Sequence, residues 1–416
     1  MQSTSCASLL ADTKSRRLCL FSLLPTVSLL CLVFFIGSAF IEPQEKLSKW
    51  GMADNMQNAK ANTCMNQCRP YGSEALPRGI VSRTSNLEMR PLWGTRRIRG
   101  VESKKHTYSE KKISSSTNLF AVAVGIRQKE YVNKMVKRFL SSGFIVMLFH
   151  YDGIVDEWKD LKWNDRVIHV SAINQTKWWF AKRFLHPEIV ADYDYVFLWD
   201  EDLGVENFHP KRYLSIIKSE GLEISQPALD PVKSEVHHQI TARGRRSNVH
   251  RRIYKPGASG KGCDKNSRAP PCTGWIEVMA PVFSKAAWRC VWHMIQNDLV
   301  HAWGLDMQLG YCAQGDRTKN VGVVDSEYIV HYGFPTLGGI AENKTILATH
   351  NHNSEAKNMP SVKELGSLES HANDNRVSVR RQSYMELEIF KKRWKKAVQD
   401  DKCWSDPYKT PAKQSI

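Results

Sequence analysis

The chain has 416 residues and a formal net charge of +17. This length argues against one small domain, so we expect a single large domain with appendages. The excess of positive charge leaves nucleic acid, an anionic membrane surface, and acidic or phosphorylated ligands open as partners.

An uncharged apolar stretch of 24 residues runs from Leu18 to Ile41 and is long enough to cross a bilayer. Basic residues precede it and acidic residues follow it. By the positive-inside rule, 1–17 then form a cytosolic tail, 18–41 a transmembrane signal anchor, and the remainder lies in the lumen. A cleaved signal peptide is the alternative, although the apolar run is longer than such signals usually are.

Residues 42–116 are polar and interrupted by Gly and Pro, which predicts a stem or linker. Seven cysteines follow the apolar stretch, and in an oxidising lumen some of them should form disulfides. Cys263 and Cys272 bracket a loop and are the best candidates for a pair, and Cys290 with Cys312 is a further option.

The folded part begins with alternating strand and helix patterns. Apolar runs of four to seven residues predict strands, and apolar residues at intervals of three or four predict helices. The predicted order is strand 119–125, helix around 132–140, strand 144–150, strand 166–171, helix 177–184 and strand 195–199. This order indicates an α/β fold with a mostly parallel sheet flanked by helices.

The second half continues with less regular patterns. It contains a long loop at 232–273 that is rich in Arg and Gly, and a loop of this length is usually functional or mobile. The other predicted elements are helix 210–219, an extended segment 222–229, strand 275–283, helix 286–297, a helix opening at 303–306, strand 321–332 and an amphipathic helix 385–398 that docks on the domain.

Three acids directly follow the buried strand at 195–199, namely Asp200, Glu201 and Asp202. Such close like charges repel unless a cation lies among them. Asp200 and Asp202 are two positions apart on an extended chain and so point the same way. At the carboxyl end of a strand in an α/β sheet, the cation expected is Mg²⁺ or Mn²⁺. The bland alternative is a solvated acidic turn.

The order of these motifs resembles the GT-A (Rossmann-like) fold of nucleotide-sugar-dependent glycosyltransferases. The resemblance rests on the Asp-x-Asp at Asp200 and Asp202, on Gly304-Leu305-Asp306, and on His331 in Val330-His331-Tyr332-Gly333. It implies a catalytic domain over 117–345 and a C-terminal extension over 346–416. The amino-acid sequence from Trp199 to Asp230 also resembles a plant family labelled "lysine-ketoglutarate reductase trans-splicing related". This resemblance covers roughly residues 85–400.

The resemblance implies roles for individual residues. Asp200, Asp202 and His331 are expected to hold Mn²⁺ or Mg²⁺, which neutralises the nucleoside diphosphate leaving group. Asp306 is the expected catalytic base for the acceptor hydroxyl. The remaining contacts to the nucleotide sugar are assigned to Asp152, Lys177 and Arg183.

Each assignment has a structural alternative. Asp306 is equally suited to capping a helix, where an acid is favourable. His331 alone fits a buried structural histidine, Asp152 a turn residue, and Lys177 and Arg183 surface charges. Trp178 and Trp179 fit core packing better than a sugar platform.

Three functional classes follow. The first is a Golgi or ER type II membrane glycosyltransferase that modifies a glycan or glycoprotein acceptor. The second is a catalytically inactive GT-A-like carbohydrate-binding or scaffold protein. The third is the RNA-processing factor that the family label suggests, which the chain disfavours because it contains no RNA-binding motif, so that no nucleic acid is expected as a partner. A dinucleotide-dependent reductase is rejected, since the first strand is followed by a single glycine, Gly125.

Overall fold

The structure is a computed structural model that describes residues 69–81, 117–255, 262–334 and 375–408. The apolar stretch at 18–41, and with it the predicted anchor, lies outside these residues. Within them, no helix is both long enough and apolar enough to cross a membrane.

A twisted sheet carries the fold. The described residues contribute nine strands in the order β3-β2-β1-β4-β8-β6-β9-β5, with β7 also paired to β9. The strands are β1 (Asn118–Val124), β2 (Ile145–His150), β3 (Ile168–Ser171), β4 (Tyr195–Trp199), β5 (Leu203–Gly204), β6 (Ile224–Leu229), β7 (Val249–His250), β8 (Val282–Ser284) and β9 (Val321–His331).

The sheet is mixed, and the prediction of a mostly parallel sheet is corrected. Strands β3, β2, β1 and β4 are parallel, as is the pair β6 and β9. The pairs β4–β8, β6–β8, β5–β9 and β7–β9 are antiparallel. The strands β5, β7 and β8 are short, and none of them directly follows an α-helix. Without a crossover helix, a strand can pair antiparallel with its neighbour.

Helices cover both faces of the sheet. They are α1 (Lys129–Ser141), α2 (Lys177–Phe184), α3 (Pro210–Ser219), α4 (Lys285–Met294), α5 (Arg317–Asn320) and α6 (Asn375–Asp400). Side chains of β1 alternate between two cores, with Leu119 and Ala121 in one and Phe120 and Val122 in the other. This alternation follows from the two-residue period of a strand that is buried on both faces.

Two predicted elements are corrected. Of the predicted strand 275–283 only the last two residues are in a strand, which runs over 282–284. The earlier backbone groups bond to side chains instead: Lys177 Nζ donates to Val278 O (2.6 Å), and Glu277 N donates to Gln226 Oε1 (2.5 Å). Residues 303–306 do not open an α-helix. Gly304 (φ 91°) and the preceding Ala302 (φ 57°) have left-handed backbone, which ends helical continuity.

The C-terminal helix α6 packs on the domain, as its apolar face predicts. Phe390 and Ala397 are buried in the larger core. Residues 69–81, which were predicted to be stem, pack beside the same helix, and Arg69 Nη2 lies 2.7 Å from Asp401 Oδ2. Leu76 is fully buried. This part of the predicted stem therefore belongs to the folded unit.

Both suggested disulfides are present. Cys263 is bonded to Cys272 and Cys290 to Cys312, each with a Cα–Cα distance of 5.3 Å. The second bond joins α4 to the segment that follows the left-handed turn at Gly304, and it holds that segment against the core.

The strand β4 is held by an aromatic cluster, and this cluster makes a testable contribution to stability. Phe139 of α1 is fully buried and stacks on Phe120 with ring centroids 3.8 Å apart. We expect Phe139→Ala to lower the free energy of unfolding by about 3–5 kcal/mol, because it leaves a cavity among rings. Urea unfolding measures this. Ile145→Ala, at a position of β2 that is 40% exposed, is the control and should cost less than about 1 kcal/mol. Equal losses would contradict the prediction.

Candidate active site

A cleft of about 640 Å³ opens beyond the carboxyl end of β4. Its lining combines the three acids that follow β4 with residues from the start of α2, from the end of β9 and from α6. The residues that bear on its chemistry are Tyr151, Lys177, Asp200, Glu201, Asp202 and His331. Four of the residues predicted from the sequence, Lys177, Asp200, Asp202 and His331, are thus brought together.

Lys177 is the cation that lies against the acids. Its Nζ is 2.7 Å from Asp200 Oδ1 and donates to Val278 O, and its side chain is 8% exposed. Lys177 begins α2, where the helix dipole disfavours a cation, so its position depends on the Asp200 charge. Burial raises the pKa of Asp200; Lys177 lowers it and Asp202 raises it further, and the net result is a raised pKa.

His331 lies beside Asp202 because of strand pairing. In the antiparallel pair of β5 and β9, Leu203 is opposite His331, which places the ring next to the preceding acid. His331 Nε2 is 3.4 Å from Asp202 Oδ2, and Phe334 N donates to the same oxygen at 3.0 Å. Burial alone would lower the pKa of His331, but the contact with Asp202 and the charges of nearby acids raise it.

Glu201 lines the cleft together with the other two acids. The Tyr151 hydroxyl donates to Glu201 Oε1 at 2.8 Å. Burial, followed by the charges of Asp202 and Asp200, raises the pKa of Glu201 to about 8. The tyrosine ring lies over Gly125, where a Cβ would come within 2.5 Å of its hydroxyl. Glycine after the first strand thus makes room for the tyrosine.

Glu277 is a residue that sequence reasoning missed. Its Oε2 is shielded from solvent and has no hydrogen-bond partner among the described residues. Burial raises its pKa to about 7; His331 lowers it, while Asp306 and Asp200 raise it, so all three lie within electrostatic reach. The signal was hidden because the surrounding segment was predicted to be an ordinary strand.

Three predicted residues do not line the cleft. Asp152 accepts hydrogen bonds from Ile126 N (2.7 Å) and Ile154 N (3.0 Å), as a turn residue does. Arg183 lies in the last turn of α2, about 9 Å along the helix from Lys177, with its guanidinium 4.1 Å from the Trp179 ring centroid.

Asp306 is the third residue outside the lining. It accepts hydrogen bonds from Met307 N at 2.9 Å and from Trp275 Nε1 at 3.3 Å. Its pKa is raised, mainly by burial. No α-helix begins at Asp306, so its predicted alternative role as a helix cap does not apply.

The helix α6 supplies one wall of the cleft through Arg380 and Ser383. It is fastened there by Glu386, whose Oε1 lies 2.8 Å from His301 Nδ1 and whose Oε2 accepts from His301 N at 2.8 Å. The sequence predicted that this helix docks, but not that it borders the cleft.

Part of the predicted metal-binding set fits a hard divalent cation. Asp202 Oδ2 and His331 Nε2 are 3.4 Å apart, close to the roughly 3 Å between neighbouring ligands around Mg²⁺ bound at 2.0–2.1 Å. Within the described ranges, no group of three His, Cys, Asp or Glu side chains is arranged to hold a metal. The pair therefore suits an ion that takes its other ligands from water and phosphate.

Comparison with known proteins identifies a family. A family model described as "Protein of unknown function (DUF707)" matches residues 67–400. No protein with a curated description matches the chain in sequence.

Three solved structures with detectable similarity are all distant from this chain. TarS 1–349 of S. aureus is 11% identical over 50% of this chain and 59% of its own, with a TM-score of 0.30. The glycosyltransferase GlyE of Streptococcus pneumoniae is 11% identical over 68% and 64%, also with a TM-score of 0.30. The 4-diphosphocytidyl-2C-methyl-D-erythritol synthase of Anaerococcus prevotii is 13% identical over 51% and 87%, with a TM-score of 0.28. The chain spans about 59% of the first of these, and scores this low carry no argument.

The contact between Lys177 and Asp200 can be tested without any ligand. We expect Lys177→Met to lower the free energy of unfolding by about 1–3 kcal/mol, because Asp200 and the Val278 carbonyl both lose a charged donor. Adding Asp200→Asn should restore part of the loss, since the unpaired charge is removed. Chemical denaturation of the wild type, both single variants and the double variant gives the coupling energy.

The matched control is Lys159→Met, which breaks an exposed pair with Asp156 and should leave the denaturation midpoint essentially unchanged. Additive effects of the two substitutions at Lys177 and Asp200 would show that the pair is not coupled.

Proposed function

The chain belongs to the DUF707 family, whose description names no activity, and we propose from the geometry of the cleft that it transfers a sugar from a nucleotide sugar. The acceptor is a glycan or a protein, and the reaction depends on Mn²⁺ or Mg²⁺. One observation carries the proposal: Asp200, Asp202, Lys177 and His331 converge in a single cleft at the end of the central strand.

The donor diphosphate would lie beside the acids. Asp202 and His331 would hold the metal, with Asp200 as a further ligand once its contact with Lys177 is exchanged. When bound, the ion neutralises the negative charge that builds up on the leaving diphosphate. The Lys177 ammonium, already oriented by Val278 O, would contact a phosphate oxygen. Arg183 and Asp152 are better suited to structural roles, given where they lie.

Exposed aromatic rings beside the acids suit the nucleoside. Tyr332 and Phe334 follow His331 and stack with centroids 5.3 Å apart, and each is 36% exposed. Tyr131 of α1 contacts Phe334, with a centroid distance of 5.1 Å. A base or ribose can pack on such a surface while the diphosphate reaches Lys177.

Two carboxylates are candidates for the base that deprotonates the acceptor hydroxyl. Asp306 is the residue inferred from the sequence, but both of its oxygens already accept hydrogen bonds. Glu277 has a buried oxygen without a partner in the described part of the chain and a pKa of about 7. A base works best when its pKa is near the working pH. Neither residue lines the cleft itself, but Glu277 has the oxygen without a partner and the matching pKa, so it is the stronger candidate.

The same proposal includes the setting of the enzyme. The disulfides Cys263–Cys272 and Cys290–Cys312 suit an oxidising compartment. We place the domain in the lumen of the Golgi or ER, attached through the apolar stretch 18–41 as a single-pass type II protein.

The first test is a thermal unfolding series on the chain with Mn²⁺ and a panel of nucleoside diphosphates. A ligand at a hundred times its dissociation constant adds about 2.7 kcal/mol to the free energy of unfolding, which raises Tm by several degrees. We expect one nucleotide to do this only with metal, and Asp202→Asn to abolish the shift because a ligand to the ion is lost.

Asp156→Asn removes an exposed acid outside the cleft and should leave the shift intact. If no nucleotide shifts the folded wild type, the alternative of a catalytically inactive carbohydrate-binding or scaffold protein takes precedence.

The second test separates the two candidate bases. With the nucleotide sugar identified above, we expect Glu277→Gln to slow nucleoside diphosphate release by about 10²-fold or more, which is typical of losing a general base. Asp306→Asn should have a smaller effect. Both variants should keep the metal-dependent nucleotide shift. The reverse ranking would assign the role to Asp306.

A further inference from the structure

A second concave site lies away from the cleft, and it is basic. It measures about 460 Å³ and is lined by the segment before β7 and by an irregular part of β9. We call it the arginine hollow, and define it by Arg243, Arg245, Arg246, Ser247, Asn248 and Ser326.

The hollow is built by a bulge in β9. The register with β6 jumps from Val324 opposite Pro227 to Tyr328 opposite Ala228, which leaves 325–327 outside the regular pairing. Two of these three residues, Asp325 and Glu327, have buried carboxylates that bond to other parts of the domain. Asp325 accepts from Gly244 N at 2.6 Å, and Glu327 contacts Arg212 Nε at 2.6 Å. The bulge is thus a fixed feature of the fold.

The charge of Asp325 is already balanced. His250 Nδ1 lies 2.8 Å from Asp325 Oδ2, and His250 Nε2 lies 2.7 Å from Ile240 O. Burial lowers the pKa of His250, but the contacts of its two ring nitrogens with Asp325 and the Ile240 carbonyl raise it on balance, which favours the protonated imidazolium beside the acid. The charges of the three arginines are therefore not cancelled by the acid at the base of the hollow.

The arginines offer donors without acidic partners. Arg243 is oriented by its Nε, which donates to Asp325 O at 2.9 Å, and by stacking 3.5 Å from the Tyr328 ring centroid. Arg245 and Arg246 are exposed, and none of the three forms an ion pair with a described residue. Ser326 Oγ is shielded from solvent and likewise lacks a partner in the described ranges. Nearby Arg251 differs, since it pairs with Glu220 at 2.8 Å.

The hollow and the cleft are joined by the same two pieces of chain. β9 carries Ser326 of the hollow and His331 of the cleft, which are five positions apart in the sequence. The connection before β7 lines the cleft with Glu235 and His237 and the hollow with Arg245 and Arg246. The two sites are therefore built from neighbouring parts of the same two segments.

We propose that the arginine hollow binds the carboxylate groups of an acidic oligosaccharide whose end lies in the cleft. A guanidinium group matches carboxylate geometry with two parallel hydrogen bonds, and that of Arg243 is already oriented. The inference rests on the proposed function, since it takes this oligosaccharide to be the acceptor. It narrows the acceptor to a chain that carries uronic acids.

The test measures binding of an oligogalacturonate to the full-length chain in nonionic detergent, with a neutral oligosaccharide of equal length as comparison. We expect binding of the acidic chain alone, weakening as salt is raised. Arg245→Gln/Arg246→Gln should weaken it by about tenfold or more, as expected for losing hydrogen bonds to a charged group. Both side chains are exposed, so the fold should persist, which an unchanged Tm would show.

The matched control is Lys162→Gln/Arg166→Gln, which removes the same charge from exposed positions near β3 at the other edge of the sheet. It should bind oligogalacturonate like the wild type. Equal binding by the arginine variant, equal loss in the control, or arginine-dependent binding of anionic phospholipid vesicles instead of the oligosaccharide would each overturn the inference.

The nucleotide shift separates this inference from the proposed function. The arginine variant should keep the metal-dependent shift, because the hollow lies outside the donor site. A shift without arginine-dependent oligogalacturonate binding overturns this inference alone. Arginine-dependent binding without any shift overturns the transferase proposal and leaves the anion site.

Discussion

The contact between the Lys177 ammonium and Asp200 is the interaction on which the cleft depends. A buried strand that ends in three consecutive acids is unfavourable, since like charges raise one another's pKa and resist burial. Lys177 offsets this at 2.7 Å and also satisfies the carbonyl of Val278. The same ammonium therefore holds the start of α2, the end of β4 and the segment before β8 at one point, and the walls of the cleft meet there.

Strand β9 connects the acidic cleft with the basic hollow. Its regular pairing with β5 sets His331 beside Asp202, and its bulge sets Ser326 beside the arginines. Asp325 and Glu327 keep the bulge in place through hydrogen bonds of their buried carboxylates to Gly244 N and Arg212. A shift of β9 by one residue would reverse the direction of every side chain and dismantle both sites together. The positions of the two sites are therefore set by one register.

The sequence predicted helices and strands correctly where the spacing of apolar residues is regular. Helices 177–184 and 210–219 and the strand 195–199 have the bounds that were predicted, because their apolar spacing is regular. The pattern failed around Glu277, where side chains of Lys177 and Gln226 replace strand pairing. It also failed at Asp306, where two residues with left-handed backbone, Ala302 and Gly304, prevent the predicted helix. Both failures involve long-range contacts or backbone conformations that apolar spacing does not encode.

The unfavourable local choices of this chain are concentrated in the two proposed sites. A lysine begins a helix, three acids end a buried strand, and the Oε2 of Glu277 is shielded without a partner in the described part of the chain. Three arginines near Asp325 lack acidic partners among the described residues, while Arg251 close by has one. Proteins tend to keep such exceptions where a ligand resolves them. A metal with a diphosphate would balance the charges of the cleft, and carboxylates would balance the arginines of the hollow. The acidic site would then bind the donor and the basic site the acceptor, both beside strand β9.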